Sequence, residues 1–195
     1  MALTPNRKRV LCLEESLWVE SRGLASRTST LPILELLQRM GAIEEFVHRH
    51  VLGFTEFENY LSRRTPGRAR TRTYGVLYIA FHGSRDGVLI GERCVPLEEL
   101  ADLIGPFPGG IVHLSSCSVL QGDKDAARRF LAKTGARMIS GYESDVVWLD
   151  SAALDTAWLG YLAWYERPGD AERYFRERFA SLAGYLKWDV VAARG

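Results

Sequence analysis

Two side chains offer most of the covalent chemistry in this sequence, the imidazole of His82 and the thiol of Cys117. A thiol is a strong nucleophile only as thiolate, and a nearby imidazole can take its proton and later return it to a leaving amine. The pair need only be close in space, so its separation along the chain carries no chemistry. Gly83 follows His82 directly. Its N–H, together with that of Cys117, can stabilise the oxyanion of a tetrahedral intermediate. Taken in isolation, the same residues read more readily as a buried structural cysteine and a strand-end cap, since free cysteines are so often simply buried.

The other reactive residue types are weaker candidates. Cys12 sits inside an apolar run and is expected in the core. Cys94 lies beside Arg93 in a predicted hairpin and is expected to be structural. His113, between Val112 and Leu114, reads as a satisfied core histidine. His48 and His50 are two apart on a predicted helix, so they face different directions and are not expected to chelate one metal. No Cys/His group has zinc spacing and no glycine-rich phosphate loop is present, so neither metal nor cofactor is expected. Trp158 and Trp164 are expected to pack in a helix core.

The elements that must position His82 and Cys117 follow from pattern. Residues 9–15 read as a buried strand. Residues 30–52 have helical periodicity, broken into two helices at Gly41. Residues 62–74 hold Pro66, Gly67 and arginines 63, 64, 68, 70 and 72, and read as an exposed loop. Residues 75–81, GVLYIAF, form a continuous apolar run, as in a central strand buried on both faces. A hairpin over 88–90 and 93–95, a helix over 96–104 and a second buried strand over 109–116 follow. A helix over 123–134 is closed by Gly135. A strand over 136–142 and two helices over 151–165 and 170–188 complete the chain. Strands alternating with helices predict a mostly parallel sheet with helices on both faces. Ligands of such sheets bind beyond the carboxyl ends of the strands, and His82 and Cys117 each follow the end of a predicted strand.

LYIAFHG followed by IVHLSSC resembles the caspase-like cysteine peptidases of clan CD, the group of caspases, metacaspases, separases and CHAT domains. In that group one apolar strand ends in the catalytic His-Gly and the next ends in the catalytic Cys. SRDGVLIGE after the His-Gly, and LSSCSVLQGD around the thiol, look closest to the CHAT pattern. GARMISGYESDVVW resembles the strand and loop that line the family's specificity pocket. The resemblance covers about residues 9–165 in element order, and only the His-Gly and Ser-Ser-Cys neighbourhoods are specific. It departs from caspases at Ser115-Ser116-Cys117, where they have Gln-Ala-Cys, and it lacks an evident counterpart of the arginines that clamp a substrate aspartate.

The resemblance implies a caspase-like three-layer α/β sandwich over 1–195. It implies a cysteine endopeptidase with His82 as general base and acid, Cys117 as nucleophile, and Gly83 and Cys117 as oxyanion hole. A pocket for a cationic residue needs carboxylates held where a guanidinium can pair with them. Glu14 and Glu15 follow the first strand, and Glu143 and Asp145 follow the strand over 136–142. The alternative for each is a solvated loop acid. Metacaspase-like peptidases use a similar Ser-Gly-x-x-Asp-Asp stretch to bind Arg or Lys, which ranks Asp145 first and Glu143 second. Glu15 and Ser115 complete the expected substrate-binding set, whereas Asp86 and Asp123 are expected at the rim or as caps. Cleavage after Arg, with Lys second, is the implied specificity. Bacterial proteins of this type often serve defence or cell-death systems. The arginine-rich loop is then a candidate for activating cleavage, by the enzyme itself or by an upstream protease, with a plain linker as the equal alternative. A catalytically inactive CHAT-like scaffold that binds a partner protein is the rival reading.

Composition bounds these readings. The chain has 195 residues, 47% hydrophobic and 25% charged, which is ordinary for a globular protein and long enough to fold without staples. Lys plus Arg number 25 against 24 Asp plus Glu. A net charge of +1 argues against a dedicated nucleic-acid binder, leaving the arginine-rich loop as the one local basic patch. No apolar run reaches membrane-spanning length and no signal peptide is evident, so no membrane partner is expected. Three unpaired cysteines fit a reduced, cytoplasmic protein. A protein substrate and a regulatory partner or activating protease are the expected partners.

Overall fold

The computed structural model describes residues 6–16, 28–62, 74–122 and 124–193. In chain order the elements are β1 (Asn6–Glu15), α1 (Leu31–Arg39), β2 (Glu45–Val51), α2 (Phe54–Ser62), β3 (Tyr74–Ala80), β4 (Gly83–Ser84), β5 (Gly87–Ile90) and β6 (Arg93–Val95). Then come α3 (Leu97–Ile104), β7 (Ile111–Ser115), α4 (Lys124–Thr134), β8 (Met138–Tyr142), α5 (Trp148–Trp164), α6 (Pro168–Arg178), α7 (Ala180–Tyr185) and β9 (Trp188–Ala192).

Six strands form the central sheet in the order β2-β1-β3-β7-β8-β9, parallel throughout except for the antiparallel edge strand β9. The alternation of side chains along β3 divides the core in two. Leu77 and Ile79 point into one cluster with Phe57 of α2, Leu100 of α3 and Phe130 of α4. Val76, Tyr78 and Ala80 point into the other with Leu34 of α1, Trp158 of α5 and Phe175 of α6. Helices therefore cover both faces of a mostly parallel sheet, as the sequence predicts. β4, β5 and β6 make a small separate antiparallel sheet right after β3.

Two expectations are corrected. The second helix expected within 30–52 is the strand β2, paired in parallel with β1 from Arg9–Glu45 to Glu15–Val51. Phe46 packs on one core cluster and its neighbour Val47 on the other, which a strand does and one face of a helix cannot. The helix expected over 170–188 stops at Phe179, resumes as α7, and gives way to β9, whose Val190 and Val191 pair with Ser140 and Ile139 of β8. The structure adds the short helix α2, for which the sequence pattern predicts no element. Residues 63–73, which hold the arginine-rich stretch, and Asp123 lie outside the described residues. Among the described residues no helix is long and apolar enough to cross a membrane.

Candidate active site

β3 and β7 are parallel neighbours, and Ala80, the last residue of β3, is in register with Ser115, the last of β7. His82 and Cys117 each come two residues later, so they hold equivalent places beyond the carboxyl edge of the sheet. Both line an open cleft of about 550 Å³, with Gly83, Ser115, Asp145, Val146 and Trp148.

Local structure holds both residues. The His82 N–H donates to Glu15 Oε2 at 3.0 Å, and the His82 carbonyl accepts from the Leu89 N–H at 2.9 Å. The second bond makes Gly83 and Val88 a non-hydrogen-bonded pair of the β4–β5 ladder, so the Gly83 N–H is turned away from that ladder. On the other side, Cys117 precedes a tight turn in which Ser118 has φ 57°, a left-handed conformation that costs a non-glycine residue about 1–3 kcal/mol. The turn is tied to the end of β8, with Ser118 N–H donating to Ser144 O and Leu120 N–H to Tyr142 O, both at 3.0 Å. The Val146 N–H donates to Cys117 Sγ at 3.4 Å, and such a donor stabilises negative charge on sulfur.

The two loops meet at Gly83. A Cβ built there would lie 2.7 Å from Cys117 O, 2.7 Å from Val119 Cγ2 and 2.9 Å from Ser116 Cβ. Only glycine lets the backbone after His82 press against the backbone of Cys117.

The family of unknown function DUF6642 matches residues 7–178. The chain belongs to this family. No curated protein matches it. The DUF6642 match spans every element from β1 to α6, and so includes both strand ends and the cleft between them.

The acids named from sequence separate. Asp145 lines the cleft, exposed, with Oδ1 accepting from the Ser118 hydroxyl at 2.7 Å. Glu143 does not reach it. Its carboxylate pairs with Lys124 at 3.6 Å and lines a different depression with Arg176 and Asp189. Two residues apart on a turning loop, the two acids leave the sheet edge in different directions. Glu15 serves the His82 backbone, and Asp86 lies in another surface pocket. Glu14 is fully buried and accepts from Ser29 Oγ and Thr30 N, both at 2.8 Å.

Ser115 reaches the cleft, but its hydroxyl donates to Asp155 Oδ2 at 2.6 Å. Asp155, on α5, was not singled out from sequence, yet it is the hub of a buried network below the cleft. It receives Tyr78 OH at 2.8 Å and Tyr142 OH, and it contacts His113 Nε2 at 2.7 Å. His113 Nδ1 and Trp158 Nε1 both meet Ser140 Oγ, at 3.0 and 2.9 Å. Burial alone would raise the Asp155 pKa, but His113 and the hydroxyl donors overcome it and hold the carboxyl below its usual value. Burial first, and Asp155 next, push the Tyr78 and Tyr142 hydroxyls well above the usual range, so both stay neutral donors. His113 is thus the satisfied core histidine expected. No spacing signal could have found Asp155, because its partners come from three other elements, β3, β7 and β8.

Cys12 is buried as expected. Cys94 is exposed rather than structural, because β6 is the outer strand of the small sheet. Trp158 is buried, whereas Trp164 is 78% exposed, at the end of α5.

Proposed function

We propose that this protein is a cysteine endopeptidase of the caspase-like type, with His82 and Cys117 as its dyad. The observation that carries the reading is the pairing of their positions. Two chemically complementary side chains leave adjacent parallel strands at equivalent places and line one open cleft, and the backbones that carry them meet at Gly83. In the proposed reaction, His82 takes the Cys117 proton and Sγ attacks the scissile carbonyl carbon. The N–H groups of Gly83 and Cys117 receive the oxyanion. His82 then protonates the leaving amine, and water attacks the thioester with His82 as base, releasing the acid and restoring the thiol.

Cleavage after Arg, with Lys second, belongs to the same proposal. Among the described residues Asp145 is the one acid lining the cleft, and a carboxylate oriented by a hydroxyl suits a guanidinium better than an ammonium. The substrate is a protein, no cofactor is needed, and control is assigned to a partner or to cleavage in the arginine-rich stretch at 63–72. Three free cysteines, one of them exposed, suit the reducing cytoplasm.

The deciding experiment is a peptide-library cleavage profile with purified wild type and Cys117→Ala, alongside labelling by a thiol-reactive peptide warhead. Cleavage after Arg that disappears in Cys117→Ala, with Cys117 labelled far faster than exposed Cys94, supports the reading. No cleavage and equal labelling of the two thiols would favour an inactive scaffold that binds a partner protein.

A further inference from the structure

β1 and β2 run parallel with Cys12 beside His48 and Glu14 beside His50. Residues two apart on a strand share a face, so His48 and His50 project on the same side as Glu14. Their rings meet edge to face with centroids 4.7 Å apart. One ligand atom from each of Glu14, His48 and His50 lies within 4.8 Å of the other two. His48 Nε2 and Glu14 Oε2 are 2.5 Å apart.

We infer that Glu14, His48 and His50 form a binding site for a borderline divalent transition metal, with Zn2+ the first choice. The donor set decides the class. Two imidazoles and one carboxylate suit Zn2+ and its neighbours and do not suit Mg2+ or Ca2+, which take oxygen donors. Three protein ligands leave a tetrahedral zinc one open position, and the exposed side of His50 gives that position access to solvent.

The surroundings are those of a prepared ligand. Glu14 has no exposed surface, and its carboxylate is oriented by the Thr30 N–H at 2.8 Å, Ser29 Oγ at 2.8 Å and Thr30 Oγ1 at 3.1 Å. Outer donors of this kind fix a ligating group. Cys12, on the same face, is buried against Thr30, its Sγ 3.4 Å from Thr30 Oγ1, and is not part of the cluster of ligand atoms. The rearrangement needed is small. Two ligands about 2.0 Å from a tetrahedral zinc stand about 3.3 Å apart, so His48 must back away from Glu14 by under about 1 Å, and no pair of the three, all within 4.8 Å of one another, must close by more than about 1.5 Å. The hydrogen between them moves to His48 Nδ1 or to solvent, since ligation takes the Nε2 lone pair. The site also lies behind a wall of the cleft, for Thr30 both bonds Glu14 and lines the cleft. The binding inference does not rest on peptidase activity.

The test is competition for Zn2+ between the full chain and a chromophoric chelator, for wild type, His50→Ala, His50→Gln and Cys117→Ala. The absorption spectrum of the Co2+-loaded protein is recorded in parallel. His50 is exposed, so its variants should fold, which circular dichroism checks. One equivalent of Zn2+ in wild type and in Cys117→Ala, weakened about 10–100-fold or more in both His50 variants, and a Co2+ spectrum without a thiolate charge-transfer band, are the expected results. No competition, binding unchanged in folded His50 variants, or binding lost in Cys117→Ala would overturn the inference. The last result would place the metal on the dyad instead.

Discussion

The Cα of Gly83 lies against the carbonyl of Cys117, so closely that a single added carbon at Gly83 would stand 2.7 Å from that oxygen. This contact joins the loop after β3 to the turn after β7. It depends on two loop conformations at once: the β4–β5 ladder that fixes His82 and Gly83, and the left-handed Ser118 that turns the chain after Cys117.

Gly83→Ala should therefore act on the site and on stability together. Overpacking against backbone costs about 1–3 kcal/mol, because Cys117 O cannot move aside as a flexible side chain would. Urea unfolding should show the loss, and warhead labelling of Cys117 should slow. A variant with wild-type stability and labelling would mean that the two loops are not rigidly apposed.

Cys117→Ala and His82→Ala should each abolish peptide cleavage and leave the fold intact, since both side chains line the cleft and neither belongs to the core clusters. Thermal melts and a cleavage assay check both halves. Cleavage near the wild-type rate by Cys117→Ala would remove the dyad from the proposal.

Asp145 and Glu143 should behave differently despite their proximity in sequence. Asp145→Ala should lower kcat/KM for Arg substrates by about 2 kcal/mol, roughly 30-fold, at the low end for a lost charged contact because the carboxylate is exposed. Glu143→Ala should leave it unchanged, since its carboxylate faces Lys124 and not the cleft. Equal losses in the two variants would argue against the pocket.

Asp155→Ala should be the most destabilising of these changes, by about 3–5 kcal/mol, because it strands His113, Tyr78, Tyr142 and Ser115 without their shared acceptor. The pH dependence follows from the lowered Asp155 pKa. Its contribution is complete above the unfolded carboxyl value of about 3.9 and is lost as pH falls through the lower folded value. Denaturation of wild type from neutral pH to about pH 2 should show this acid limb. Asp155→Asn should show a shallower one. An identical limb in both would exclude Asp155 as its source.

The two central strands were legible along the chain because both faces of β3 and β7 are buried, so each appears as a mainly apolar run, interrupted in β7 by His113, that ends where chemistry begins. His82 stands out as the first position freed from packing after β3, and Cys117 as a half-buried thiol just beyond β7. Their meeting was not legible. It required β3 and β7 to be neighbours with Ala80 opposite Ser115, a pairing across more than thirty residues that also places β1 on the other side of β3. Local pattern also failed at β2. An edge strand is only half covered, so its apolar residues do not alternate cleanly, and Ile43, Phe46, Val47 and Val51 mimic a helical stripe. That one difference decides whether His48 and His50 diverge or stand side by side over Glu14. Asp155 shows the same limit from within a helix. On α5 it is one acid among apolar residues, and only the packing of α5 on the sheet brings Tyr78, His113, Ser115 and Tyr142 around it. Residue type and local run length thus determined which groups could react and where strands end. The order of strands and the packing of helices, set by burying two apolar faces at once, decided which of those groups meet.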